Sequence, residues 1–378
     1  MGSAPVNAIS GEDLDREPEP GIGLCLSGGG YRAMIFHIGA LWRLYETGRL
    51  RDIARISSVS GGSITAGLLA LKWRSLSFDP ARVEDDFLRE VVAPLRELAD
   101  RTIDVGSVLF GLVLPGGSSA QVATAYRKYL FGTATLQDLP DSPRFVINAT
   151  NVQSGVLWRF MKPYMRDYRV GEVKRPTVLL AQVVAASSAF PPVLSPQRMS
   201  LDPKTFSPPQ GEDLHREPFT SKVFLSDGGV YDNLGLETVW KRYKTVLVSD
   251  AGGKLQPEPK PKTNWLQHSY RVLNVIDNQV RAMRKRQLID SYIAKQRDGT
   301  YWGIRTNIAD YGVPTPLPCP FDRTTQLAET PTRLARLEPL QQERLINWGY
   351  AVCDAALRRH VDPAIPAPTK FPYPKAEV

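Results

Sequence analysis

Three cysteines, four histidines and no long apolar run are what this 378-residue chain is short of. Each shortage removes a class of protein. Cys25, Cys319 and Cys353 are odd in number and widely spaced, which excludes a disulfide framework and a cysteine metal site and points to reduced core thiols. None of the histidines sits in a motif: His37 lies one turn past a glycine loop, His215 in a polar insertion, His268 at a helix start, and His360 beside Arg358 and Arg359 in a last helical turn. A Ser–His–Asp hydrolase therefore lacks a placed base. The longest apolar run, 105–114, has about half the residues that a membrane-spanning helix needs. It reads as a buried helix or as a wall over an acyl chain. The first twenty residues lack the charged and apolar regions of a secretory signal, and Val6 stands where a myristoylation template wants Ser or Thr. Residues 1–20 are expected to be a disordered lead-in, and the protein to be cytoplasmic and peripheral to the inner membrane face.

What is present is ordinary globular material, 42% hydrophobic and 23% charged, with no low-complexity linker to divide it. One domain over 21–360 is expected, with a helical C-terminal extension over 264–360 and a loosely held proline-rich tail over 361–378. The 47 basic against 39 acidic residues give a net charge of +8, which suits an anionic partner such as a phospholipid surface. No nucleic-acid motif accompanies the charge, so nucleic acid is not expected.

The chain is organised around Arg55-Ile-Ser-Ser-Val-Ser60-Gly-Gly-Ser-Ile-Thr-Ala-Gly67, where a short apolar strand meets a small-residue turn and then a helix. A strand-to-helix elbow holds its apex side chain clear of the sheet and admits only small residues two positions before and after it. Ser58 and Gly62 occupy those places around Ser60, Ser58 standing where the usual pattern has Gly. The plainer reading of Ser58–Gly62 is a helix N-cap in a loop. Upstream, the buried-strand pattern of 21–27 runs into Gly28-Gly29-Gly30 and a helix over 31–46. That order fits a phosphate cradle or a set of N–H donors around an oxyanion. Gly28-x-Gly30-x-x-Ala33 also fits a dinucleotide fingerprint, but the next strand ends in the serine elbow and not in the acidic residue that would hold a ribose.

Further on, helices are expected over 64–73, 81–100 and 177–190, a strand over 144–150, and an irregular insertion over 196–221. The strand Lys222–Ser226 delivers Asp227-Gly228-Gly229 to its end. Because catalytic groups collect beyond the C-terminal ends of parallel strands, Ser60 and Asp227 are expected to meet there. Asp232 and Asp250 are the competing carboxylates. After a Pro/Lys-rich connector, 265–295 reads as one long amphipathic helix. Its stretch from Arg271 to Arg297 holds seven basic and two acidic residues, either a solvated face or a contact for headgroups through Arg281, Arg284, Lys285 and Arg286. An edge strand over 301–305 and a helix over 341–359 follow.

Three of these motifs, Gly28-Gly29-Gly30-Tyr31-Arg32, Ser58-Val-Ser60-Gly-Gly62 and Asp227-Gly228-Gly229, together resemble the patatin-like phospholipase family. Weaker likeness lies in Ala185–Pro192 and Val248–Gly252. The resemblance covers about residues 20–255. It implies a three-layer α/β/α fold with a central, mostly parallel sheet, and hydrolysis of phospholipid or lysophospholipid acyl esters without a metal or organic cofactor. By that likeness Ser60 is the nucleophile, Asp227 its proton acceptor, and Gly28, Gly29 and Gly30 the oxyanion hole. Arg32 is expected to order the loop or to approach a phosphate. A lipase gated by a ligand or partner and a silent lipid-binding module remain as other classes; no residue pattern identifies a protein partner.

Overall fold

In the computed structural model, residues 17–103, 117–207 and 213–378 are described. Most of the expected lead-in and the apolar run 105–114 lie outside them.

Eleven strands form one mixed sheet. Its parallel part is β1 (Glu19–Leu26), β2 (Ile53–Ser58), β3 (Arg144–Asn151), β10 (Tyr243–Asp250) and β11 (Asp298–Gly303), in the order β11-β10-β1-β2-β3. Beyond β3 the sheet turns antiparallel through β4 (Val156–Phe160), β5 (Tyr164–Asp167), β6 (Gly171–Lys174) and β8 (Phe206–Ser207). A branch formed by β7 (Gln197–Ser200) and β9 (Lys222–Asp227) also joins β3 antiparallel. The insertion expected to be irregular thus supplies β7 and β8.

Helices cover both faces, giving an α/β/α sandwich. In chain order they are α1 (Gly30–Glu46), α2 (Gly61–Lys72), α3 (Ala93–Ala99, continuing a π-helix over Val83–Val92), α4 (Gly117–Tyr126), α5 (Leu180–Ser187), α6 (Gly229–Asp232), α7 (Glu237–Trp240), α8 (Trp265–Ile293), α9 (Phe321–Ala328) and α10 (Pro339–His360). Strand alternation assigns the two cores: Leu24 and Leu26 of β1 join the large one, with α1, α2, α3 and α10, while Cys25 faces a smaller one with Val239 of α7 and Leu288 of α8.

Helix α1 is buried from Gly30 to Tyr45, because α10 covers the side that the sheet does not. The two helices touch backbone to backbone. A Cβ on Gly39 would stand 1.9 Å from the Ile346 carbonyl oxygen, and one on Gly349 would stand 2.0 Å from that of Phe36. The C-terminal helix is therefore part of the central core. The proline-rich tail is also held, contrary to expectation: Asn347 Nδ2 donates to the carbonyls of Tyr373 (2.8 Å) and Glu377 (2.7 Å), Arg96 lies over the Tyr373 ring, and Phe371 and Val378 are buried. Prolines shorten a tail's conformational list but do not prevent its carbonyls from being captured.

Candidate active site

Three chain ends converge beyond β1 and β2. Ser60, between β2 and α2, has φ 52° and ψ −121°, a strained conformation for a residue with a side chain. Close backbone contact imposes it: a Cβ on Gly61 would lie 2.1 Å from the Gly30 carbonyl oxygen, and one on Gly62 2.4 Å from that of Leu26. The elbow rests directly on the glycine loop, and Ser60 Cβ is 3.2 Å from where a Gly28 Cβ would be.

Beneath the elbow lies a buried hydroxyl network that the sequence reading missed. Ser187 Oγ accepts from the Ser60 N–H (3.0 Å) and donates to the Asn148 carbonyl (2.6 Å); Ser63 Oγ bridges Ser187 (2.9 Å) and Ser58 (3.0 Å). Ser58, the departure from the usual Gly, thus contributes a partner to this network. The small-residue run around Ser187 was the available signal, but its value lies in hydroxyls more than in close packing.

Asp227 reaches the site at the end of β9, which runs antiparallel to β3 with Asp227 opposite Ala149. The expected meeting occurs, although β9 is not one of the parallel strands. The Asp227 carboxyl is buried; Oδ1 accepts from the Gly229 N–H at 2.7 Å, and Oδ2 has no hydrogen-bond partner among the described residues. Burial pushes the carboxyl up to about 7, a rise that the Gly229 N–H and the nearby Ser60 hydroxyl oppose and the charge of Asp277 on α8 assists. The Ser60 hydroxyl is close enough to favour the carboxylate without making a well-formed hydrogen bond, as is common before substrate arrives.

The glycine loop divides its amides. The Gly28 N–H is taken by the Asn233 carbonyl at 3.0 Å, whereas those of Gly29 and Gly30 donate to nothing among the described residues. The same holds for Gly61, next to Ser60, a donor the sequence reading passed over. Gly28 is therefore corrected from oxyanion donor to a tie between the loop and Asn233.

Of the two roles expected of Arg32, its contacts fit the ordering of the loop. All five of its N–H donors are engaged: Nε and Nη2 on the Ala251 carbonyl (3.3 and 2.9 Å), Nη1 on the carbonyls of Ala328 and Thr330, and Nη2 also on Thr332 Oγ1 (3.0 Å). Burial, then the charges of Arg305 and Arg281, lower it to about 10. It ties the loop to the C-terminal segment and has no donor left for a phosphate.

His37 is a buried prop. Its Nε2–H donates to the Ser27 carbonyl (3.0 Å) just before the loop, and Nδ1 accepts from Ser249 Oγ (2.8 Å), which accepts in turn from Trp302 Nε1–H (2.9 Å). Burial lowers the imidazole to about 4, so it stays neutral near pH 7. The rival carboxylates are occupied: Asp232 accepts from the N–H groups of Leu234 (3.1 Å) and Glu237 (2.7 Å), and Asp250 from Gly252 N–H and Tyr301 OH (both 2.8 Å). No cluster of His, Cys, Asp or Glu able to hold a metal occurs among the described residues.

Taken together, a strained serine, a buried carboxyl with one free oxygen and adjacent free amides can perform nucleophilic acyl transfer. A match to patatin-like phospholipases spans residues 24–240. The chain has no match among curated proteins. Among solved structures, human GIVD cytosolic phospholipase A2 in complex with methyl gamma-linolenyl fluorophosphonate is similar in fold, with 14% identity and a TM-score of 0.50 over 91% of this chain and 59% of that one. VipD from Legionella pneumophila is also similar, at 16% identity and a TM-score of 0.31 over 83% of this chain and 67% of that one. In another GIVD structure the match covers 51% of that chain, so this chain spans about half the length of the human enzyme.

Proposed function

Since the chain belongs to the patatin-like phospholipase family, we propose that it is a lipid acyl hydrolase that cleaves the fatty-acyl esters of phospholipids or lysophospholipids with Ser60 and Asp227 as a dyad. The observation that carries this reading is the Asp227 carboxyl, buried beside the strained Ser60 with Oδ2 unpartnered. Ser60 Oγ attacks the ester carbonyl carbon while its proton passes to Asp227 Oδ2. The amides of Gly29 and Gly30 meet the developing oxyanion, with Gly61 in reach of the same side of the elbow. The ester C–O bond then breaks, the leaving alcohol oxygen takes the proton from Asp227, and an acyl-Ser60 remains. Water repeats the sequence: Asp227 takes its proton, the hydroxide adds, and Ser60 leaves reprotonated with the fatty acid released. Pre-positioned amides lower the charge that the base must help to create, which is how a carboxylate can replace imidazole.

No described helix is long and apolar enough to cross a membrane, so on this reading the substrate is met at a surface. The test is labelling with a fluorophosphonate followed by peptide mapping. The adduct is expected on Ser60, and Ser60→Ala is expected to lose both labelling and ester hydrolysis with an unchanged melting curve. An adduct on another serine, or full activity in the folded variant, overturns the assignment.

A further inference from the structure

Helix α8 is assembled with its polar side inward. Arg281 Nη2 lies 3.6 Å from Asp250 Oδ1, Arg284 Nη1 lies 3.2 Å from Glu237 and its Nε 3.7 Å from Asp232, and Asp277 is half-buried near Asp227. Leu288 on that inward side enters the smaller core, but much of the helix's apolar surface faces solvent: Trp265 is 79% exposed, Leu273 59%, Ile276 54% and Met283 62%. Leu273, Ile276 and Met283 stand at spacings of three and seven, one row along the helix. This reverses the sequence expectation, in which Arg281 and Arg284 reached outward.

An uncovered apolar row on a surface marks a contact. Its position is specific, because α8 packs against α6, the turn that carries Asp227-Gly228-Gly229. Its flanks are mostly basic: Arg286 is exposed, as are Lys254, Lys260 and Lys262 of the connector before it, against two exposed acids, Glu258 and Asp290, while Lys285 places Nζ 4.4 Å over the Tyr301 ring. A second copy of the chain would bring the same positive flanks against these. The row from Leu273 to Met283 runs straight for about 15 Å of this 29-residue helix, a shape suited to a flat anionic surface.

We propose that α8 is the face by which the protein seats on an anionic phospholipid bilayer, with Leu273, Ile276 and Met283 entering the interface and Arg286 with the connector residues Lys260 and Lys262 meeting headgroup phosphates. This rests on the reading of the site as an acyl hydrolase and gives that site its orientation: the apolar row settles into lipid, and the strand ends behind it come to lie at headgroup depth.

The experiment uses the full chain carrying Ser60→Ala, so that lipid is not consumed, and co-sedimentation with vesicles of phosphatidylcholine alone or mixed with phosphatidylserine. Adding Leu273→Gln, Ile276→Gln and Met283→Gln is expected to weaken partition about tenfold or more, since each removes a buried apolar side chain from the bound state. Adding Arg286→Glu, Lys260→Glu and Lys262→Glu instead is expected to abolish the preference for phosphatidylserine. In the background with Ser60 intact, the triple variant is expected to keep fluorophosphonate labelling and hydrolysis of a soluble short-chain ester. Unchanged partition of the triple variant overturns the proposal, as does failure of the parent to bind either vesicle. So does sedimentation velocity showing a dimer that the triple substitution dissociates. Loss of labelling at Ser60 in the otherwise unaltered protein strikes the hydrolase reading alone, because vesicle binding is measured without catalysis.

Discussion

Asp227 and Asp250 occupy nearly the same turn twice. Each ends a strand of the sheet, each is buried, and each accepts at Oδ1 from the N–H two residues on, Gly229 at 2.7 Å and Gly252 at 2.8 Å. They differ at Oδ2. That of Asp250 takes the Tyr301 hydroxyl at 2.8 Å, with Arg281 beside the carboxylate, and these contacts outweigh burial and hold the group below its ordinary value. That of Asp227 takes nothing, and burial pushes the group up to about 7. The same local sequence logic yields a permanent anion in one place and a titrating base in the other. What surrounds the second oxygen decides between them.

The largest effect should come from exchanging each acid for its amide. Asp227→Asn is expected to lower kcat by about 10²–10⁴-fold, because the amide cannot accept the Ser60 proton. It should also melt higher than wild type at pH 8. The sign follows from the raised pKa: between about 4 and 7 the folded state keeps a proton that the unfolded chain has lost, so stability falls through that window in wild type but not in the variant. Asp250→Asn should do the reverse, retaining fluorophosphonate labelling while losing roughly 3 kcal/mol of stability, since Arg281 is left half-buried without its partner. Denaturant melts with parallel ester assays read both.

A smaller effect concerns pH. The base must be ionised, so kcat/KM for a soluble ester is expected to rise with pH and level off above about 7. Asp277→Asn removes a negative charge that opposes ionisation of Asp227, so the rising limb should move to lower pH with an unchanged plateau. A limb that stays in place would separate α8 from the chemistry. The smallest effect is expected from Tyr301→Phe, which takes one hydrogen bond from Asp250 and leaves Arg281 in place. About 1 kcal/mol of stability should be lost, with little change in turnover.

The contrast between these acids also shows how much the sequence reveals. Ser60 and Asp227 are legible because flanking glycines are demanded by backbone contacts that no side chain can survive, and such demands are local. Asp250 and Asp227 are not distinguishable on that basis, since Tyr301 and Arg281 come from elsewhere in the chain. Arg32 follows the glycine motif, yet its four acceptors lie on segments some 220 to 300 residues away. The amphipathic period of α8 was visible, but periodicity reports two faces and not which of them meets the protein. Core-facing arginines required knowledge of Asp232, Glu237 and Asp250 on neighbouring elements. The parallel strands β1, β2 and β3 are legible because they are buried on both faces, whereas β10 is passed over although it is buried too, and the short, half-exposed strands of the antiparallel wing, such as β7 and β8, leave little pattern.

The crossing of Gly39 with Gly349 has a consequence in time. On the ribosome, helix α1 precedes the partner that closes its outer side by about 310 residues, which at roughly 5–20 residues per second is an interval of tens of seconds. Throughout it Phe36, Trp42 and their neighbours have no α10 to cover them, and the finished elbow cannot rest on a settled loop. On the acyl-hydrolase reading proposed above, activity waits for α10 to close over α1.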